Sequence, residues 1–257
     1  MENEQTFPVR PAAGQVLFLH DIEMRSRDGK PIDIAAVEAS FETAFAAIWT
    51  GRAENDGFNA LILKLGISWR EAALIRALAR YRQQSGLDPS QAVQEQALCD
   101  NPEIVRQILA LFRVRFSPDL PEPVNEREAW GKQLEAQIDK ALETVMSIDA
   151  DRALRRIARL VGAILRTNFY QPAHDGGVKP YMSFKIASRD LEDLPAPKPY
   201  REIWVSGPDV EGVHLRFGPV ARGGLRWTDR RDDFRTEVLD LVKAQQVKNA
   251  IIVPVGA

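Results

Sequence analysis

Cysteine is almost missing from this sequence. Cys99 is the only one, so no disulfide can form within the chain, and a four-ligand Cys/His zinc site would need it together with all of His20, His174 and His214. That usage fits a reducing compartment, and no metal is expected. No run of about 18 apolar residues occurs, so no membrane-spanning helix is expected. The opening Met-Glu-Asn-Glu-Gln-Thr has neither the basic start nor the apolar stretch of a secretory signal, which makes the expected location cytoplasmic. Charge of one sign is lacking too. With 34 Lys and Arg against 36 Asp and Glu, the net charge of -2 supplies no global field to gather nucleic acid or an anionic membrane surface. Internal repeats and low-complexity tracts are absent, as is a Gly-x-Gly-x-x-Gly following a strand, so no dinucleotide-binding unit is recognisable.

What remains is the composition of an ordinary globular protein: 257 residues, 45% hydrophobic and 27% charged, enough for one large or two small domains. Gln15 to Ser26 alternates apolar and polar side chains with one slip. It reads as a kinked strand that must pair with something upstream or later, because one strand is not stable alone. From Ile34 to Tyr170 the spacing is helical, with helices expected over Ile34–Trp49, Trp69–Gln84, Pro102–Arg115, Glu126–Met146 and Ala150–Asn168, packed as a bundle. Ser68 with Glu71 forms a capping box, Asn101 before Pro102 joins a cap to a first-turn proline, and Asp149 can cap the last helix. In that helix Leu154, Ile157, Ala158, Val161, Ile164 and Leu165 make the apolar face. Arg152, Arg155, Arg156, Arg159 and Arg166 lie mostly off it, as a solvated face rather than a nucleic-acid surface.

Proline-rich stretches at Ser117–Asn125, Gln171–Pro180 and Asp190–Tyr200 read as connections. Beyond Tyr181 the texture becomes β-like, with strands expected at Ser183–Ser188, Arg201–Val205 and Val213–Phe217, a helix from Arg230 to Asn249, and a further strand at Ile251–Val255.

The segment from Gly212 to Arg235 holds Arg216, Arg222, Arg226, Arg230, Arg231 and Arg235 against Asp229, Asp232 and Asp233. Arginine forks and the backbone around Gly223-Gly224 suit an anionic ligand. The plain alternative is a strand-turn-helix connection in which Asp229 caps the helix and the arginines pair with these acids. On the helix that follows, Phe234, Val238, Leu241, Gln245 and Lys248 share one face. A lysine extending an apolar stripe must snorkel, find an acid, complement the helix dipole or face a polar cavity, and Gln245 beside it favours the cavity. His174, His214 and Cys99 read as packing, turn or surface residues, and Trp204 and Trp227 as core or lid aromatics.

The run GPVARGGLRWTDRRDDFRTEVLDLVKAQQVKNAIIVPVGA closely resembles the bacterial large-subunit NAD-dependent glutamate dehydrogenases at the start of their catalytic substrate-binding domain. The resemblance is dense over about Val205 to Ala257. It implies an α+β or α/β fold with mainly helical N-terminal two thirds and then the β-rich start of a glutamate-dehydrogenase-like substrate-binding domain. Residues 1-30 would be a strand remnant of an upstream regulatory domain, 31-175 a helical linker domain, and 180-257 a truncated first part of the catalytic domain. By the same resemblance Lys248, Arg222, Gly223, Gly224 and Arg226 bind substrate, with Arg222 standing where smaller relatives carry lysine. The catalytic lysine is expected just beyond Ala257, and NAD would be held by a domain absent from this chain. The implied partners are L-glutamate and 2-oxoglutarate, with a homo-oligomer in the full-length protein and neither nucleic acid nor membrane. The implied reaction is oxidative deamination, with this piece inactive alone. The competing expectation is a non-catalytic helical interaction or regulatory module with an anion-binding arginine-rich turn.

Overall fold

The computed structural model describes residues 2–11, 14–26, 29, 31–86, 88–218 and 228–245. Two compact units are present, Met1–Ala39 and Ser40–Ala257. In the first, β1 (Asn3–Val9) pairs antiparallel with β2 (Leu17–Glu23), so the expected strand at Gln15–Ser26 is shorter and finds its partner upstream, in a segment read as plain polar chain. Pro8, opposite Phe18, had disguised β1; a two-stranded ribbon tolerates proline where the missing N–H faces outward.

Helix α1 (Ile34–Trp49) matches its expected span and carries the boundary between the units. The second unit continues with α2 (Ala60–Leu65), α3 (Trp69–Gln83), α4 (Gln91–Asp100), α5 (Pro102–Phe116), α6 (Val124–Leu142) and α7 (Ile148–Ala163). Helices α2 and α4 escaped the sequence reading because one is too short and the other too polar to show a face. The capping box of α3 forms as expected: Ser68 Oγ accepts from Glu71 N at 3.2 Å, and Glu71 Oε2 accepts from Ser68 N at 2.9 Å. Two other cap assignments need correction. Asn101 makes no cap bond to α5 and instead donates to the Ala97 carbonyl of α4, and Ser147, not Asp149, caps α7 by accepting from Ala150 N. Packing of α5 against α6 and α7, and of α4 against α7, buries Ile108, Leu111, Ile157 and Leu160 completely.

The last expected helix also ends early. After Ala163 the chain becomes β3 (Ile164–Thr167), which pairs antiparallel with β4 (Met182–Ile186). The stop comes from outside the helix. Arg115 on α5 donates to the carbonyls of Gly162 (2.8 Å) and Ile164 (3.1 Å), and Ala187 N donates to Ala163 O (2.9 Å), satisfying groups a continuing helix would have used itself. β5 (Arg201–Gly207) and β6 (Val210–Arg216) complete a sheet of order β3-β4-β5-β6 in which every pair is antiparallel. This helical body followed by an antiparallel sheet is the expected α+β arrangement. The strand pleat turns Met182, Phe184 and Ile186 of β4, and Glu202, Trp204 and Ser206 of β5, to the buried face. Trp204 there donates from Nε1 to the Ala77 carbonyl of α3 at 2.9 Å, fastening the sheet to the helices. Helix α8 (Phe234–Gln245) follows the sheet.

Candidate functional site

Arg222, Gly223, Gly224, Arg226 and Lys248, the substrate residues expected from sequence, all lie outside the described residues, as do Trp227 and the segment expected as a strand at Ile251–Val255. What is described is the frame: β6 leading into the arginine-rich segment and α8 leading out of it.

The entry to α8 is built by side chains from far away in sequence. Thr228 Oγ1 accepts from Arg230 N at 3.2 Å, and a single 3-10 turn over Arg231–Asp233 leads into the helix. There Gln84, at the end of α3, uses both halves of its amide: Nε2 donates to the Arg231 carbonyl, and Oε1 accepts from Arg235 N at 3.0 Å. The first N–H groups of a helix have no partner within it, so Gln84 does for α8 what a local Ser, Asp or Asn normally does. Asp229, expected in that role, does not fill it among these bonds.

Arg235 is fully buried, and its side chain meets Glu202 on β5 through a two-point grip, Nε to Oε2 at 3.0 Å and Nη2 to Oε1 at 2.6 Å. Glu202 Oε2 also accepts from Tyr81 Oη of α3 at 2.9 Å. Burial opposes charge on Arg235, but the hydrogen bonds and charge of Glu202 outweigh it and hold the guanidinium pKa above its usual value. Glu202 is hard to read as a partner from sequence, because it lies 33 residues from Arg235 and 121 from Tyr81. One signal was present: in the alternation of REIWVSG, Glu202 takes the same face as Trp204.

Arg230 and Arg231 are also committed to glutamates rather than to Asp229, Asp232 and Asp233, while Arg216 donates from Nε to the Gly218 carbonyl at 3.1 Å. Arg231 reaches Glu211 at 3.1 Å and Glu54 at 3.6 Å, while Arg80 of α3 bonds Glu54 at 2.6 Å and Glu211 at 3.0 Å, closing a charge-balanced ring. Arg230 pairs with Glu237. The plain reading was therefore right that these arginines pair, and wrong about their partners. Each of Arg230, Arg231 and Arg235 thus spends part of its guanidinium on a glutamate. Arg156, expected on a solvated face, instead pairs with buried Asp88 and with Asp193, both shared with the fully buried Arg82.

Along α8, Arg235 and Leu239 are the deeply buried positions, while Phe234, Val238 and Leu241 are half-buried. The stripe that leads toward Lys248 is thus only partly covered by the described chain.

Tyr81 is completely buried, and its phenol pKa is pushed well above the usual value, first by loss of water and then by the Glu202 carboxylate. Its folded pKa exceeds its unfolded one, so the Tyr81 contribution is complete below the ordinary tyrosine pKa of about 10 and is lost as pH rises through the folded value. Tyr81→Phe should lower stability at neutral pH by about 1.5–3 kcal/mol, the range for a hydrogen bond to a charged group, and flatten the loss of stability above about pH 10. Urea unfolding across a pH series measures both; parallel curves for the two proteins would contradict the assignment.

His214 is exposed and Cys99 half-buried, and no group of three or more His, Cys, Asp or Glu side chains among the described residues could hold a metal. No helix among them is long and apolar enough to cross a membrane. A dinucleotide cradle needs a parallel strand entering a glycine-rich turn and a helix, and no strand pair among the described residues supplies one, all of them being antiparallel.

Comparison with known proteins bears on the same segments. Residues 137–257 match the family described as bacterial NAD-glutamate dehydrogenase, catalytic domain, and residues 53–118 match glutamate dehydrogenase, helical motif 3. The chain is 46% identical over 254 residues to the NAD-specific glutamate dehydrogenase of Pseudomonas aeruginosa, covering 99% of this chain and 16% of that protein. Identity is 45% over 242 residues to the Halomonas elongata enzyme of the same name, and 42% over 260 residues to that of Mycobacterium tuberculosis. Almost the whole chain is thus similar to bacterial NAD-specific glutamate dehydrogenases, and two of its stretches match glutamate-dehydrogenase families. It spans about 16% of the length of these relatives.

Proposed function

We propose that this chain serves within an NAD-dependent glutamate dehydrogenase of its relatives' full length. In this reading it supplies the helical segment (31-175) and the first part of the substrate-binding domain (180-257), with residues 1-30 belonging to an upstream regulatory domain. The reaction is the oxidative deamination of L-glutamate. NAD, held outside these residues, would accept the hydride of the glutamate α-carbon, and hydrolysis of the resulting iminium would release 2-oxoglutarate and ammonia. Lys248 holds a substrate carboxylate, assisted by Arg222, Gly223, Gly224 and Arg226. The catalytic lysine and the NAD-binding domain are supplied outside these 257 residues, so the piece alone is inactive, and the working enzyme is a cytoplasmic homo-oligomer.

The carrying observation is the catalytic-domain match over residues 137–257, which includes both the Arg-Gly-Gly segment and Lys248. The engagement of Arg230, Arg231 and Arg235 with glutamates also fits a reading in which Arg222 and Arg226 serve the substrate.

The test is steady-state kinetics of the full-length polypeptide carrying this sequence, followed by NADH formation with glutamate. Lys248→Ala should raise the glutamate KM about 10- to 100-fold, the equivalent of one lost charged hydrogen bond, and leave the KM for NAD unchanged. No glutamate-dependent NADH formation by the wild type, or an unchanged KM in the variant, would defeat the assignment.

A further inference from the structure

We propose that Gln84 is a positioning residue for the substrate helix: from the end of α3 its amide fixes the first turn of α8, and so the presentation of glutamate-binding groups depends on the helical body. The inference rests on the reading that α8 belongs to the glutamate site. Gln84 is itself buried, 4% exposed, and spends its donor and its acceptor on the same short stretch of chain, the Arg231 carbonyl and the Arg235 N–H. Tyr81, three residues earlier and one turn back on α3, reaches the side chain of that same Arg235 through Glu202. Arg80, adjacent to Tyr81, adds the ring with Glu54, Glu211 and Arg231. One end of one helix therefore holds the entry to α8 by its backbone N–H, by a carbonyl and by two arginine side chains. A surface linker would have no need to be this specific.

The arrangement places Gln84 where it can act on binding without touching substrate. A helix start held by hydrogen bonds in trans has a defined direction; without them the N-terminal turn must find water or fray, and the groups further along the helix lose their fixed placement. The consequence falls on the binding of glutamate rather than on the hydride step.

In the full-length enzyme, Gln84→Ala should raise the glutamate KM about three- to tenfold, with kcat and the KM for NAD changed less than about twofold. A purely structural role would instead lower the fraction of active enzyme, reducing apparent kcat and leaving KM alone. Gln84→Glu keeps an acceptor for Arg235 N–H but loses the donor to Arg231, so it should fall between wild type and Gln84→Ala; it also serves if the alanine variant folds poorly. An unchanged glutamate KM in both variants, with Lys248→Ala still raising it, overturns the role of Gln84 and leaves the proposed function standing. An unchanged KM in Lys248→Ala removes α8 from the glutamate site and overturns both.

Discussion

Glu202→Leu is expected to destabilise the protein by about 3–5 kcal/mol, the cost of leaving a buried charge without its partner. Arg235 is completely buried and Glu202 is its only ion-pair partner among the described residues; the remaining nitrogen, Nη1, has no hydrogen-bond partner there. Removing the carboxylate also orphans the hydroxyl of Tyr81 in a site that water does not reach. At about 2–4 °C per kcal/mol for a chain of this size, the melting temperature should fall by about 6–20 °C. Combining Glu202→Leu with Arg235→Met and Tyr81→Phe removes every member of the cluster together, and should recover most of the loss because a buried ion pair often does no better than apolar side chains of similar volume. Urea unfolding of the single and triple variants gives the comparison. A loss below about 1 kcal/mol for Glu202→Leu would show Arg235 reaching water, and α8 undocked from β5.

The cluster also shows where the sequence was readable and where it was not. Local chemistry was legible: the Ser68–Glu71 capping box, the span of α1, and the alternation that makes β4 and β5 strands all follow from neighbours a few residues apart. Features decided by distant partners were not. Helix α7 stops at Ala163, where Arg115 and Ala187 take its final carbonyls; Gly162 stands in the last turn, but no proline marks the end and the apolar spacing runs on through Ile164 and Leu165. Asp229 has the chemistry of a cap, yet α8 takes its bond from Gln84, 151 residues away. The arginines after β6 could be read either as an anion site or as ion-paired, because composition counts charges without their partners. Three of them prove to be fastenings to Glu54, Glu202, Glu211 and Glu237. The candidate substrate residues came instead from family resemblance, which carries information that spacing does not.

Trp204→Ala should cost about 3–5 kcal/mol, the usual range for emptying a buried aromatic site, and toward the upper end of it. Trp204 is 1% exposed and sits between Phe184 of β4 and Val213 of β6 across the sheet. Its ring lies 6.0 Å from that of Tyr81, and its Nε1 donates to Ala77 O, so one side chain joins β5 to α3 through packing and a hydrogen bond. Trp204→Phe keeps most of the packing and loses the hydrogen bond, which predicts a smaller cost of about 1–2 kcal/mol. The more telling result is the double variant. Trp204 and Glu202 both hold Tyr81, one by its ring and the other by its hydroxyl, so after either change the other has less left to support. Trp204→Ala with Glu202→Leu should therefore cost less than the sum of the single losses, by about 0.5–3 kcal/mol. Losses that add within about 0.5 kcal/mol would mean that the sheet and α8 are attached to α3 independently. Coupling would instead mean that a disturbance in the packing of α3 against the sheet reaches the start of α8, the physical condition for the helical body to influence glutamate binding.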